Sequence, residues 1–216
     1  MAAAARALAP LLGSLGLLLL VLCAKSDCWR QDAKDPLSSV GLSIRCRGLW
    51  RECIFDNVAS LWTCDIPVSY LSDHPAVLVV TRVLVILSGS LVLCAIPPSI
   101  AGMKCTKLTQ GRRLRKHNFS LTAGILLLLG GLSAAVAVLW YGIDTVQKYK
   151  LEVALGIPGV TYELGYSYWT AAAGAACATS GGTLLIAASF SEAQTPREER
   201  NFVGSLPVAK GQQTYL

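Results

Sequence analysis

Charged side chains are scarce in this chain. Aspartate, glutamate, lysine and arginine make up 15% of its 216 residues, against roughly 25% in ordinary soluble domains. That shortage excludes a water-bathed globule of usual composition. Histidine is rarer still: His74 and His117 are the only two. They fall on opposite sides of an apolar run, so they cannot converge with an acid or a nucleophile. No phosphate-binding glycine loop is present, and the chain reads as no enzyme. The cysteines contain no C-x2-C pair and have only His74 nearby, so neither a structural metal site nor any other cofactor is expected.

Two further absences are local. Between Lys104 and Lys116 there is no acidic residue, although Lys104, Lys107, Arg112, Arg113, Arg115 and Lys116 all stand there. Residues 144–163 contain no cysteine, whereas 25–75 hold Cys28, Cys46, Cys53 and Cys64.

What the chain does have is apolar length. Hydrophobic residues make up 53% of it, and a helix needs roughly 20 of them to cross a hydrocarbon core of about 30 Å. Four runs meet that standard, at about 7–24, 76–103, 119–143 and 164–190. The expected fold class is a membrane α-helical protein, with outer loops at 25–75 and 144–163 and a polar tail at 191–216 expected to be disordered. The acid-free basic loop should be cytoplasmic by the positive-inside rule, which puts both termini in the cytosol and the other two loops outside. Six of the positive charges behind the net +6 sit in that loop. Their expected partners are anionic membrane lipids, not nucleic acid. A competing reading makes 1–24 a cleaved signal peptide ending at Ala24, but Leu22 is a poor residue at the third position before such a cut. The glycosylation pattern Asn118-Phe119-Ser120 lies on the predicted cytoplasmic side and is read as unused.

An outward loop with four cysteines meets an oxidising compartment, and two disulfides are expected. Three connectivities are open. Closing Cys53 to Cys64 would staple a hairpin, worth very roughly 3 kcal/mol by chain entropy. The β-branched stretches Val40–Ile44 and Ile54–Val58, with Gly41, Gly48, Asn57 and Pro67 as breakers, predict short strands. Trp29 and Trp50 suit either the headgroup interface or plain packing beneath the sheet. Cys105, next to the membrane among basic residues, suits S-palmitoylation. Cys94 and Cys177 read as buried small residues. The small-residue run Ala171–Ala176, with Gly174, is expected to pack helices closely inside the bundle.

Arg82 is the only ionisable residue well inside a predicted span. At mid-membrane a charge costs roughly 2.5–3.5 kcal/mol on insertion scales. It should reach out to a carboxylate or carbonyl of the first loop, the alternative being simple snorkelling to the interface.

Trp29, then Gly48-Leu49-Trp50, then Cys53 and Cys64, followed by Arg82 and by Tyr162-Glu163-Leu164-Gly165, resembles the claudin signature. Asp27-Cys28-Trp29, Cys46-Arg47-Gly48, Glu52-Cys53, Thr63-Cys64-Asp65 and His74-Pro75 look most like the magnesium-handling, paracellin-type branch. The resemblance implies a left-handed four-helix bundle whose outer loops share one β-sheet. It also implies disulfides Cys53–Cys64 and Cys28–Cys46, and a clamping role for Arg82. The implied activity is sealing, or selectively opening, the space between epithelial cells at the tight junction of the plasma membrane, together with other claudin-like protomers in cis and trans.

In claudins a selectivity carboxylate lies three residues after the first signature cysteine, which here is Asp56, with Glu52 and Asp65 close in sequence. From Lys25 to Asp73 the first loop holds seven acids and six bases, a net charge of −1, so the expected preference leans to cations. The chain ends Thr214-Tyr215-Leu216, where many claudins end in Tyr-Val. An apolar last residue behind a free carboxylate still suits strand addition to a PDZ scaffold. The alternative reading is an auxiliary or adhesion subunit, because calcium-channel gamma and myelin-type proteins share the tryptophan and cysteine pattern. Tetraspanins and connexins distribute their outer cysteines differently.

The topology is directly testable. An epitope placed after Leu216 should be silent on intact cells and stain after permeabilisation; staining without permeabilisation would invert the arrangement.

Overall fold

The computed structural model describes residues 2–33, 43–56, 60–67, 76–102, 113–155 and 161–204. Four helices dominate: α1 (Ala2–Lys25), α2 (Ala76–Ala101), α3 (Arg113–Ala154) and α4 (Tyr166–Gly204). All four contain segments long and apolar enough to cross a membrane, at Ala7–Lys25, Ala76–Ala101, His117–Ala154 and Tyr166–Ser191. The helices pack in a ring, α1 on α4, α4 on α3, α3 on α2 and α2 on α1.

The buried stripe of each helix is made of small or compact residues. Ala9, Leu20 and Cys23 of α1 meet Ala171, Ala175, Ala178 and Leu185 of α4 in a single apolar cluster. A Cβ on Gly174 would stand 3.2 Å from Leu19 Cβ and 3.3 Å from the Gly16 carbonyl oxygen. The small-residue run therefore lies inside the bundle, against α1. Lipid tails are as apolar as leucine, so close contact and not exclusion of water is what favours this packing. Ser88 adds a hydrogen bond, Oγ donating 2.7 Å to the Gly130 carbonyl.

Five strands form one antiparallel sheet at one end of the bundle, in the order β4-β3-β2-β1-β5. They are β1 (Arg30–Ala33), β2 (Ser43–Arg47), β3 (Arg51–Asp56), β4 (Leu61–Pro67) and β5 (Thr161–Leu164). The first four come from the connection between α1 and α2, and β5 from that between α3 and α4. β5 pairs with β1 through Arg30–Leu164, Gln31–Glu163, Asp32–Tyr162 and Ala33–Thr161.

Several boundaries differ from the sequence reading. Residues 144–154, expected in the second outer loop, continue α3. Hydropathy ends at Asp144, but helix formation does not require apolar residues, and no glycine or proline interrupts the chain before Gly156. An Asp144–Lys148 ion pair of 2.7 Å also supports this turn. Residues 191–204, expected in a disordered tail, continue α4, which ends at Gly204. Strands predicted at Val40–Ile44 and Ile54–Val58 are displaced to 43–47 and 51–56, because cross-strand pairing, not the β-branched runs, sets their ends. Residues 40–42 and 57–58 lie outside the described residues. Cys94, expected to be buried, is exposed, and Cys177 is half-buried. The phase of α2 turns Val92, Ala95 and Ser99 inward and leaves Cys94 on the lipid side.

Gly165 links β5 to α4. Its N–H donates 2.9 Å to the Trp29 carbonyl, and a Cβ there would fall 2.1 Å from the Cys28 carbonyl oxygen. Gly89 has open space around it. Gly165→Ala should therefore lower the thermal midpoint in detergent and the surface level, at a cost of about 1–3 kcal/mol, while Gly89→Ala leaves both unchanged. Equal behaviour of the two variants would contradict this junction.

Candidate functional site

The sheet meets the top of α2 and the core of the bundle at a three-residue turn. Between β2 and β3 lie only Gly48, Leu49 and Trp50. Gly48 N–H donates 2.9 Å to the Arg51 carbonyl, and a Cβ on Gly48 would come 2.7 Å from Asp27 Cα. Glycine is needed there because the backbone before β1 passes directly over the turn. Leu49 is fully buried in the bundle core with Trp29, Leu20 and Leu78.

The two tryptophans occupy different environments. Trp29 is fully buried and meets Tyr141 of α3 edge-to-face at 5.3 Å, so it packs beneath the sheet. Trp50 is 45% exposed. Both indoles do the same polar work. Trp29 Nε1–H donates 2.9 Å to the Cys23 carbonyl, and Trp50 Nε1–H donates 2.9 Å to the Ala24 carbonyl. A helix leaves its last four carbonyls without internal partners; in α1 two of these are satisfied by the signature tryptophans, and a third, Leu22, by Ser26 N–H.

Arg82 Nε–H donates 2.6 Å to the Leu49 carbonyl, and its guanidinium carbon lies 5.1 Å from the centre of the Trp50 ring. Of the partners open to it, a carboxylate or a carbonyl, the structure gives the carbonyl. The guanidinium is thus held between a turn carbonyl and an aromatic face, at the point where the sheet meets α2.

Two disulfides cross the sheet, Cys28–Cys46 and Cys53–Cys64. Cys46 and Cys53 are themselves cross-strand neighbours, so the four sulfurs form one cluster. One extra residue on β4 between Thr63 and Ile66 shifts the register; this bulge contains Cys64 and Asp65. An Asp27 carboxylate oxygen lies within 4.8 Å of Cys53 and Cys64 Sγ. Those sulfurs are bonded to each other, so the group is not a thiolate site for a metal. Asp27 also lies 3.8 Å from Arg51 Nε.

The face of the sheet away from the cysteines carries charge. Strand alternation and register put Arg30, Arg47 and Glu52 in one row. Arg47 Nε–H donates to Glu52, whose side chain is 15% exposed, so that carboxylate is committed to an ion pair. Asp56 ends β3, in register with Ser43 on one side and Leu61 on the other. Cys105 and the terminal Thr214, Tyr215 and Leu216 lie outside the described residues. Sequence reasoning missed Tyr141 as the partner of Trp29 and the α1 carbonyls as partners of the indoles. Neither has a local sequence signal. The Arg47–Glu52 pair had one, since the two residues flank a tight turn at a cross-strand spacing.

A bundle of four spans carrying a disulfide-pinned sheet, joined by a tryptophan–arginine clamp, defines a class of membrane protein with its working surface outside the bilayer. The chain matches the model of the PMP-22/EMP/MP20/Claudin family over residues 7–185, and it belongs to that family. It is 32% identical to Claudin-16 of Homo sapiens over 192 residues, covering 88% of this chain and 80% of that protein. Claudin-16 of Rattus norvegicus is 32% identical over 167 residues, or 77% and 70% of the two chains. Claudin-7 of Homo sapiens is 30% identical over 176 residues, or 81% and 80%. Family membership points to a structural or channel protein, not an enzyme.

The clamp predicts a specific loss. Arg82→Ala removes a charged hydrogen bond worth about 1.5–3 kcal/mol and a cation–π contact worth about 0.5–1 kcal/mol. Thermal denaturation in detergent should show a lowered midpoint, with Arg82→Lys falling between; a midpoint unchanged in Arg82→Ala would mean that the guanidinium only snorkels.

Proposed function

We propose that this chain works as a claudin. Its outer sheet assembles with other claudin-type protomers, side by side and across facing membranes, into tight-junction strands. Those strands seal the paracellular space or pass ions through it according to charge, with a lean to cations. The observation that carries the reading is the clamp: Trp29, Gly48, Leu49, Trp50 and Arg82, distant in sequence, come together to fix a disulfide-pinned sheet on a membrane bundle, in a chain of this family. The relatives quoted are claudins, which sets the auxiliary or adhesion alternative behind. Leu61 and Trp62, 63% and 49% exposed at the β3–β4 hairpin, offer an apolar tip for a second protomer.

Within this reading both termini are cytosolic, the basic loop from Lys104 meets anionic lipid, Cys105 is acylated, and Thr214-Tyr215-Leu216 recruits a PDZ scaffold. Asp56 supplies the selecting charge and Asp65 a weaker one, while Glu52 is held by Arg47 and contributes less.

A carboxylate in a narrow path replaces part of the hydration a cation gives up. At about 4 Å, two unit charges interact by about 4 kcal/mol at an effective dielectric near 20 and by about 1 in bulk water. Asp56→Asn, expressed in cells that lack junctional strands, should form strands as the unmodified chain does and lower the Na⁺/Cl⁻ permeability ratio from dilution potentials, with Asp65→Asn doing so less. An unchanged ratio at equal junctional abundance removes Asp56 from the ion path and favours a pure barrier.

A further inference from the structure

The charged face of the sheet holds more than its acids. Alternation along β1, β2 and β3 places Arg30, Arg45, Arg47 and Glu52 on it, and Asp32 and Asp56 hold register positions in the same rows. These six are not equivalent. Arg30 is 8% exposed. Arg47 and Glu52 neutralise one another. Arg45 differs from both other cations: it is exposed, and among the described residues no carboxylate pairs with it. Its position explains this. Directly across from Arg45 on β3 stands Ile54, which has no charge to offer. The two diagonal positions are Glu52, already committed to Arg47, and Asp56, in register with Ser43.

We propose that Arg45 is a specificity-determining residue of the ion path, an uncommitted cation that opposes Asp56 and holds the selectivity for cations down. The proposal rests on the reading that this face lines the path. Diagonal cross-strand neighbours sit roughly 7–8 Å apart, so an ion beside Asp56 lies within the Debye length of Arg45, about 8 Å at physiological salt. A passing Na⁺ is repelled and a passing Cl⁻ attracted by the same guanidinium. The net preference of the face is then the difference between two neighbouring charges of opposite sign, not the property of one carboxylate. Arg51 does not enter this balance, because it alternates to the other face, beside Asp27.

The test compares Arg45→Gln, Arg45→Lys and Arg45→Glu with Asp56→Asn and the unmodified chain in cells without endogenous strands, at matched junctional abundance by surface labelling. Dilution potentials give the Na⁺/Cl⁻ ratio. Arg45→Gln should raise that ratio roughly two- to threefold, the effect of one unit charge at this separation in a largely aqueous, salt-screened path. Arg45→Glu should raise it further, and Arg45→Lys, which keeps the charge, should stay near the unmodified value. If Asp56→Asn shifts the ratio while all three Arg45 variants match the unmodified chain, the face lines the path and the proposal for Arg45 is wrong. If neither position shifts it, both the proposal and the reading beneath it fail. If Arg45→Lys moves as far as Arg45→Gln, side-chain shape and not charge is responsible, and the proposal is again overturned.

Discussion

The arrangement depends on what happens to backbone carbonyls where α1 ends. Helix termini leave polar groups without partners, and where protein packs over them those groups must be satisfied from within the chain. Here the next two tryptophans in the chain donate their indole hydrogens to the Cys23 and Ala24 carbonyls. That satisfies the helix end with apolar rings, which suits the interface. It also fixes the first strand and the β2–β3 turn relative to α1. Arg82 then ties the same turn to α2 through the Leu49 carbonyl, so the sheet is attached to two helices by hydrogen bonds to main-chain oxygen. In these bonds side-chain identity matters at the donors and not at the main-chain acceptors, while the Leu49 side chain acts separately by filling the bundle core.

The sheet in turn depends on that attachment. Five short strands, of four to seven residues, have little core of their own. Their buried material is the cysteine cluster on one side and, below, Leu49 and Trp29, which belong to the bundle core. The disulfides hold the strands to one another, and the clamp holds them to the membrane domain. The remaining outward face is free to carry charge, and the paired Arg47–Glu52 row shows that part of this charge is spent on strand pairing.

Much of this was legible in the sequence. Apolar length announces a span without any knowledge of partners, which is why all four helices could be read directly. Arg82 stood out because a lone charge in such a span demands an explanation. The signature residues were legible only in combination, through their resemblance to claudins. The strand β5 was implied only through that resemblance and not by its own residues, since Thr161-Tyr162-Glu163-Leu164 becomes a strand only when β1 lies beside it. The extension of α3 to Ala154 was hidden for the opposite reason: its polar residues report solvent, and helix and solvent are independent. Trp29 and Trp50 carry the same side chain, so only the position of Tyr141 and the exposed side of the turn distinguish their surroundings. The exposed cation Arg45 could be counted in sequence, but not recognised as uncommitted until the register put Ile54 opposite it.

The pairing of β5 with β1 has a mechanical meaning. In the proposed role the molecule joins facing cells and is pulled along the normal to its membrane, and the pull enters through the two loops that build the sheet. Because the two loops share a sheet, force on either is carried across the β1–β5 ladder and the Gly165 N–H to Trp29 carbonyl bond before it reaches the membrane. It is then divided among α1, α2, α3 and α4 and does not concentrate on one anchor. Drawing a protomer out of the bilayer by its outer loops would therefore mean dragging four spans at once, with the sheet acting as the yoke.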